Sequence, residues 1–440
     1  MMRRLAAAMA LALLGGAELA GEQLLDYVTQ KPVRYAGKFS SAAVDLPPYR
    51  PHKREFRGVW VATVENLDFP IHRTAAEFKR DYVKLIDNIA KARFNAVIFQ
   101  IRPTCDAFYP SRVNSWSQNL AGTDGVGIRD FDPLRFMVDE AHKRGLEFHA
   151  WFNPYRVIGN TKLSKSAYLK TLSPKNFARR NPKLVLSVRQ PDGGNLLILN
   201  PGEPAVMNHI VETVREVANN YQIDAVHFDD YFYPYSGFAD QDAATYAAYL
   251  RSGGKKTVDD WRRGNVTSVI VAIRRGLNEH NRGPGRKIRF GVSPFGIWGN
   301  RSVLREGSLT GGLQSYFVQH ADTRSWVKKG YIDYIVPQLY WPFSHDSAAY
   351  AALADWWSDT VRGTGTKLFI GHAVSRLGAT RQWSAPELAN QLRYNCGRKE
   401  ISGSVFFSYR HVFFPANRVQ RSGVDLVLKN YWKKRAVMPW

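Results

Sequence analysis

The segment Asp224-Ala-Val-His-Phe-Asp-Asp-Tyr-Phe-Tyr-Pro234 is the most informative part of the chain for the fold, because it begins as a buried strand and closes on two acids. An unpartnered carboxyl group is costly to bury, so a strand that ends on Asp229 and Asp230 makes poor core. Acids at the carboxyl ends of strands are typical of active sites in parallel α/β barrels. The segment therefore predicts both a fold class and a site.

Seven further short runs of β-branched and aromatic residues lie before and after this segment, and helix-like stretches separate them. Some of these stretches end on a basic residue followed by Gly, as at Arg144-Gly145 and Lys329-Gly330, which is typical of helix ends. Eight strands separated by helices predict an α/β protein, specifically a (β/α)8 barrel. An open doubly wound sheet is the alternative, but no Gly-rich phosphate loop follows the first strand. The predicted strands cover residues 56–64, 96–102, 146–152, 225–229, 288–293, 334–339, 368–372 and 404–409.

The segments outside the predicted barrel of residues 53–412 are a leader at 1–17, an N-terminal extension at 18–52 and a C-terminal tail at 413–440. The leader has two Arg residues, a short apolar run and then small residues, which is the layout of a cleavable secretory signal peptide. The apolar run is too short to span a bilayer, and no cysteine follows it. We therefore expect export to the periplasm or cell envelope without a membrane anchor.

The charge of the chain points to an anionic partner. Its 440 residues carry 61 Lys and Arg against 38 Asp and Glu, a formal net charge of +23, which should attract polyanions. Export favours an anionic wall glycan over nucleic acid. The long insertion predicted after strand three, at 158–198, is basic with Asp192 as its single acid. It leaves the active-site face of the barrel, so we interpret it as a basic flap beside the mouth.

Polar and aromatic residues at the predicted strand ends form the candidate site. Asp229 and Asp230 are the catalytic candidates, and Asp106 and Glu65 are further candidates for an acid or for substrate binding. Carboxyl groups beside aromatic rings suit sugar hydrolysis, which needs proton transfer, cation stabilisation and stacking. The sequence has no His-x-x-x-His pair, cysteine cluster or nucleotide loop, so we expect neither metal nor cofactor. The substrate-binding candidates are Arg102, Trp151, Asn153, Tyr155, Arg156, His227, Tyr231, Tyr233, Gln338, Tyr340 and Trp341.

Seven blocks of sequence in fixed order carry a family resemblance. They are Arg54-Glu-Phe-Arg-Gly-Val-Trp-Val-Ala-Thr-Val64, Phe99-Gln-Ile-Arg-Pro103 with Asp106-Ala-Phe-Tyr-Pro-Ser111, His149-Ala-Trp-Phe-Asn-Pro-Tyr-Arg156, Leu199-Asn-Pro-Gly202, His227-Phe-Asp-Asp-Tyr-Phe-Tyr-Pro234, Val292-Ser-Pro-Phe-Gly296 and Val336-Pro-Gln-Leu-Tyr-Trp341. Together they resemble the glycosyl-hydrolase-like family ten. The resemblance implies a (β/α)8 barrel that cleaves peptidoglycan glycan strands, particularly those stripped of stem peptides. It also implies a role in cell-wall remodelling or division, with the division machinery as a further partner.

Two mechanisms remain open at this level. By analogy with the fourth strand of α-amylase-like barrels, Asp229 is the nucleophile or cation stabiliser. The general acid is then Asp230, Asp106 or Glu65, in that order of preference. In the second scheme the 2-acetamido group of the substrate is the internal nucleophile, and the two adjacent acids divide the remaining work.

Three classes of function compete: an active glycan hydrolase, a wall-glycan-binding barrel that has lost turnover, and a basic nucleic-acid binder. The intact acid pair favours the first over the second, and the predicted export disfavours the third. A hydrolase of another polysaccharide is the alternative within the first class. Arg102 and Arg156 are the candidate clamps for the lactyl carboxylate of muramic acid, because an Arg fork fits a carboxylate. We expect a monomer.

Overall fold

The computed structural model describes residues 21–440, and its centre is a closed barrel of eight parallel strands. Each strand pairs with the next strand in the sequence, and the eighth pairs with the first. The (β/α)8 prediction is confirmed, and the open sheet is excluded. The predicted signal peptide at 1–17 lies outside the described residues. The strands are β1 (Phe56–Val61), β2 (Ala96–Arg102), β3 (Glu147–Phe152), β4 (Ala225–Phe228), β5 (Arg289–Val292), β6 (Tyr334–Ile335), β7 (Lys367–Ala373) and β8 (Ile401–Phe407).

One helix after each strand completes the (β/α)8 pattern. Local sequence sets their ends: Thr74 and Glu77 form a reciprocal capping box at the start of the first helix. No helix within residues 21–440 is both long and apolar enough to cross a membrane. The helices are α1 (Ala75–Lys91), α2 (Pro133–Lys143), α3 (Pro204–Asn220), α4 (Val258–His280), α5 (Thr323–Lys328), α6 (Tyr350–Val361), α7 (Glu387–Cys396) and α8 (Arg418–Leu426). Shorter helices in the connections are Gln118–Ala121, Lys165–Thr171, Phe177–Arg180, Ala243–Arg251 and Tyr409–Phe413.

A column of hydrogen-bonded side chains runs along the barrel interior. The Tyr334 hydroxyl lies 2.8 Å from His149 Nδ1 and 3.0 Å from His227 Nδ1. Trp60 Nε1 donates to His227 Nε2 at 3.3 Å, and His149 Nε2 lies 3.0 Å from a Glu147 carboxylate oxygen. Burial lowers the pKa of His227, and an indole N–H can only donate, so neutral His227 accepts at Nε2 and donates from Nδ1 to the Tyr334 hydroxyl.

The last residues of the chain close the amino-terminal end of the barrel. Trp440 donates its indole N–H to Glu147 Oε1 at 2.9 Å and packs against Phe56. The Arg289 guanidinium lies 4.0 Å from the centre of the Trp440 ring. Residues 413–440, which the sequence assigns to a tail, thus contain both α8 and this closing segment.

Two additions to the barrel flank its mouth. The confirmed insertion after β3 forms a three-stranded antiparallel sheet, in the spatial order Arg156–Thr161, Asn195–Leu199, Val185–Arg189. Residues 21–46, here called the N-terminal arm, contact the loops that follow β6 and β7, and the Lys38 backbone N–H donates to the carbonyl of Asp346 in the first of them. Because β3 and β7 lie opposite one another in an eight-stranded barrel, the insertion and the arm stand on opposite sides of the mouth.

Substitution of Trp440 tests the closing segment. We expect Trp440→Ala to lower the free energy of unfolding by about 2–3 kcal/mol, because a half-buried indole leaves the base of the barrel. Trp440→Phe keeps a ring there but loses the donor to Glu147, for a loss of about 1 kcal/mol. Urea unfolding measures both values, with Phe414→Ala on the exposed surface as the control. Equal stability of Trp440→Ala and wild type would show that the segment does not seal the barrel.

Candidate active site

A cavity of about 400 Å³ opens at the carboxyl-terminal end of the barrel. Seven of the eight strands, all except β7, contribute to its lining, either directly or through the residues that follow them. Among its described lining residues, only Asp229 and Asp230 carry carboxyl groups. The principal lining residues are Trp60, Val64, Gln100, Trp151, Arg156, Asp229, Asp230, Tyr231, Tyr235, Ser293, Gln338, Tyr340 and Phe407.

The end of β4 explains how two consecutive acids reach the same cavity. Neighbouring residues of a regular strand point to opposite faces, which would separate the pair. However, β4 ends at Phe228, one residue before Asp229, so this alternation does not apply to the two acids. Both side chains are almost fully buried, with 3% of Asp229 and 5% of Asp230 exposed.

Three donors surround the Asp229 carboxylate. Trp151 Nε1 and Asn153 Nδ2 each lie 3.0 Å from Oδ2, and the Tyr231 backbone N–H donates to Oδ1 at 3.2 Å. Burial raises the pKa of Asp229, and the positive charge of Arg156 together with these donors opposes that rise. A carboxyl group that accepts three hydrogen bonds is stabilised in its ionised form, so Asp229 is the anionic member of the pair.

Asp230, in contrast, is stabilised in its protonated form. Burial and the adjacent Asp229 charge together raise the pKa of Asp230 to about 7, and a hydrogen bond with the Gln338 side chain opposes the rise only in part. Two adjacent buried carboxyl groups cannot both ionise at low cost, so the one with fewer hydrogen-bond donors around it, Asp230, retains its proton. Asp230 therefore has the protonation state of a general acid near neutral pH.

Several predicted site residues do converge on the pair. Trp151 and Asn153 hold Asp229, as described above. Arg156 lines the cavity with its guanidinium 4.2 Å from the Tyr231 ring centre. Gln338 and Tyr340 arrive from the end of β6, and the Gln338 amide also donates to the Ser293 carbonyl at 2.9 Å.

Arg102 requires a correction, because it is 1% exposed and does not line the cavity. Gln100 does line it, and in a regular strand Arg102 would face the same way. The register of β2 against β3 shifts between these two residues, which turns Arg102 outward. Its guanidinium donates to the backbone carbonyl of Asn153, so it positions the residue that holds Asp229 instead of clamping substrate.

Tyr155 and Tyr233 are also buried outside the cavity. Tyr155 lies in the main hydrophobic core, at the start of the insertion. Tyr233 packs edge-on against His320, and its hydroxyl lies 3.4 Å from the Asp242 carboxylate. Direct substrate contact by either tyrosine is therefore corrected to a packing role.

The two alternative acids do not join the pair. Asp106 is buried outside the cavity, where its carboxylate accepts a hydrogen bond from Thr104 Oγ1 at 2.6 Å. Glu65 is exposed on the short helical turn Val64–Asn66, after β1, and does not line the cavity. Of the candidates for the general acid, the structure leaves Asp230 as the one beside Asp229.

Two further predicted residues support the cavity from outside. His227 lies in the barrel interior below the floor, with Nε2 2.9 Å from the Ser293 hydroxyl. Trp341 is half-exposed, packs edge-on against Phe295 and is not among the lining residues. The prediction of substrate binding is corrected for His227, which is fully buried, and it stays a prediction for Trp341.

Eight lining residues are missing from the sequence-based set of candidates: Trp60, Ala62, Val64, Leu67, Gln100, Tyr235, Ser293 and Phe407. Ser293 directly follows β5 and Phe407 ends β8, so the strand-end rule could have found both. Trp60 and Gln100 lie within β1 and β2, where no local signal separates a cavity wall from core. Among residues 21–440, no group of three or more His, Cys, Asp or Glu side chains is arranged to hold a metal ion.

An ionised and a protonated carboxyl group, set among aromatic rings at the mouth of a barrel, can hydrolyse a glycosidic bond. Fold and site together define the class of the protein as a barrel glycoside hydrolase. Sequence comparison is more specific: the profile of the glycosyl hydrolase-like 10 family matches residues 55–386, and the chain belongs to that family. The resemblance found in the sequence blocks is thus confirmed.

Two relatives of the chain are also described as glycosyl hydrolases. The chain is 40% identical over 399 residues to the glycosyl hydrolase YngK of Bacillus subtilis (strain 168). The aligned residues cover 88% of this chain and 74% of the relative. The chain is 38% identical over 398 residues to the glycosyl hydrolase DigH of Escherichia coli (strain K12), with coverage of 86% and 87%. The PgaB (BpsB) glycoside hydrolase domain of Bordetella bronchiseptica has a similar fold, with a TM-score of 0.51 at 15% identity over 85% of this chain and 98% of that domain.

The pH profile tests the assignment of the proton to Asp230. We expect kcat/KM to fall as the pH rises through about 7, because ionisation of Asp230 removes the proton donor. Asp230→Asn should lower kcat by about 10²–10⁴-fold and abolish this alkaline limb. The rim variant Glu65→Gln is the matched control and should keep the wild-type profile. An alkaline limb that survives in Asp230→Asn would assign the proton to another group.

Proposed function

We propose that the protein hydrolyses the glycan strands of peptidoglycan, particularly strands without stem peptides, during cell-wall remodelling or division. The observation that carries the proposal is the pairing of ionised Asp229 with protonated Asp230 in one cavity that also holds a guanidinium group. The first two groups supply the chemistry of glycosidic cleavage, and the third selects an acidic sugar. The net charge of +23 supports a polyanionic substrate.

Arg156 provides the argument for stripped strands. Within residues 21–440 no carboxylate lies within salt-bridge distance of its guanidinium, although one nitrogen donates to the Pro103 carbonyl at 3.3 Å. The guanidinium can therefore pair with a substrate carboxylate as a bidentate fork. In intact peptidoglycan the lactyl carboxyl group of muramic acid is amide-linked to the stem peptide. It becomes a free anion only when the peptide has been removed.

The arrangement of the two acids favours assistance by the 2-acetamido group. Direct displacement in a retaining enzyme needs two carboxyl groups about 5–5.5 Å apart on either side of the scissile bond. Here the two acids are consecutive residues, and no third carboxyl group is among the described lining residues. Adjacent acids can instead act on neighbouring parts of one sugar. Asp229 accepts the acetamido N–H, and Asp230 reaches the leaving oxygen.

The bond changes then balance without an external reagent. The acetamido carbonyl oxygen attacks the anomeric carbon, the bond to the leaving oxygen breaks, and Asp230 transfers its proton to that oxygen. The charge on the resulting oxazolinium ion is stabilised by ionised Asp229. Water then attacks the anomeric carbon, gives a proton to Asp230 and returns the acetamido group to its initial form. Trp60, Tyr340 and Phe407 supply an apolar and aromatic wall for the sugar.

The proposed setting follows from the sequence expectations. The leader-like residues 1–17 support export, so we place the enzyme in the periplasm or cell envelope, acting as a monomer. Peptidoglycan strands are its proposed substrate, and the cell-division machinery is a proposed further partner. The alternatives are a catalytically inert wall-binding barrel and a hydrolase of another polysaccharide.

Digestion of purified peptidoglycan, intact and amidase-stripped, tests the proposed substrate. We expect wild type to release glycan fragments with new reducing ends mainly from the stripped material. Arg156→Lys should reduce that preference, because it loses the fork that pairs with the lactyl carboxylate. Asp229→Asn should release fragments about 10²–10³-fold more slowly, since it removes the stabilising charge. Tight pelleting of wild type without any fragment release would leave a wall-binding barrel, and cleavage of another polysaccharide alone would reassign the substrate.

A thiazoline analogue of N-acetylglucosamine tests the mechanism. It resembles the cyclic oxazolinium species, so we expect competitive inhibition with an inhibition constant about 100-fold or more below KM. Asp229→Ala should weaken this inhibition more than it weakens substrate binding, because Asp229 interacts most strongly with the cyclic form. Absence of inhibition, together with a trapped glycosyl-enzyme on Asp229, would instead establish direct displacement.

A further inference from the structure

A second cavity, of about 480 Å³, lies between the N-terminal arm and the loops that follow β6 and β7. It exceeds the catalytic cavity in volume. The arm contributes Lys31 and Arg34, the loop after β6 contributes Ser344 and Asp346, and the loop after β7 contributes Gln382. A smaller recess of about 150 Å³ adjoins it and shares Ser344 and Gln382. We call the two together the arm cleft.

The lining of the arm cleft suits a chain of hydroxyl groups. A sugar hydroxyl both donates and accepts hydrogen bonds, and the cleft offers ammonium and guanidinium donors beside a carboxylate, a hydroxyl and an amide. Within residues 21–440, neither Lys31 nor Arg34 has an acidic partner within salt-bridge distance. Tyr27 lines the recess with 63% of its surface exposed, so its ring can stack on a pyranose face.

One loop connects the arm cleft with the catalytic cavity. Tyr340 lines the catalytic cavity, and Ser344, four residues later, lines the arm cleft. Four residues span at most about 14 Å even when fully extended, so the two cavities are neighbours on the same face of the barrel. The Glu387 carboxylate accepts the backbone N–H of Phe343 at 2.9 Å and so fixes the loop between them. A polymer that leaves the catalytic cavity over this loop enters the arm cleft.

The insertion borders the mouth on the side opposite the arm. The insertion rises after β3, and its first strand, Arg156–Thr161, starts with the cavity residue Arg156. The arm stands across the mouth beside the loop after β7. The mouth is thus bordered on two opposite sides, as expected for an enzyme that binds a long strand across its active site.

We propose that the arm cleft is a distal glycan-binding subsite, which holds a segment of the same strand several sugars away from the bond that is cut. Its occupant is a polyhydroxylated glycan chain, recognised by Tyr27, Lys31 and Arg34. This inference deepens the proposed function and rests on it for the identity of the polymer. Strands long enough to fill the cleft bind more tightly than short oligosaccharides, and cleavage falls at internal bonds.

The test compares substrates of two lengths. Tyr27→Ala and the double variant Lys31→Ala/Arg34→Ala are assayed on long stripped strands and on oligosaccharides too short to leave the catalytic cavity. We expect KM for long strands to rise about tenfold, the effect of one lost stacking contact or hydrogen-bonded pair, with kcat and all short-substrate constants unchanged. Lys38→Ala is the matched control, because Lys38 is an exposed base of the same arm outside the cleft.

Binding without turnover separates this proposal from the proposed function. In an Asp230→Asn background, Kd for long strands should rise about tenfold in the cleft variants and stay unchanged in Lys38→Ala. Cleavage by wild type with KM and Kd unaffected by the cleft variants would overturn the subsite and leave the proposed function intact. If wild type does not cleave peptidoglycan, the same Kd comparison is made on long chitin and glucan chains. Equal binding by cleft variants and control on every chain would then overturn the subsite independently.

Discussion

Two carboxyl groups buried side by side after β4 impose the constraint on which the rest of the site depends. Both cannot be ionised at low cost where they are almost fully buried, so the surrounding groups determine where the negative charge lies. Trp151 and Asn153 give their donors to Asp229, and Arg156 adds a positive charge near it. Asp230 has less compensation and keeps its proton. Which of the two acids is ionised and which is protonated is thus determined by the residues around the pair.

A column of hydrogen-bonded side chains connects the cavity wall with the base of the barrel. Hydrogen bonds connect Trp60 through His227, Tyr334 and His149 to Glu147, and the Trp60 indole is the donor at its end of this column. The hydrogen bond to His227 orients the Trp60 indole, which forms part of the cavity wall.

The sequence predicted the barrel and the acid pair because both signals are local. Short β-branched runs mark strands wherever they occur, and an acid that ends a buried strand needs a functional reason. Orientation beyond a strand end is not local. Arg102 turns outward because of a register shift against β3, and Tyr155 and Tyr233 turn into the core because of long-range packing. No spacing rule in a single sequence reveals such turns.

The additions to the barrel are coupled to its chemistry through single residues at their junctions. Arg156 is both the first residue of the insertion sheet and the guanidinium of the catalytic cavity. The folding of the insertion therefore determines where the cavity holds its positive charge. On the other side of the mouth, the loop from Tyr340 to Ser344 couples the arm to the site, since it connects the wall of the catalytic cavity with the arm cleft. A change in either addition would thus alter which polymer is held while leaving the acid pair on the barrel in place.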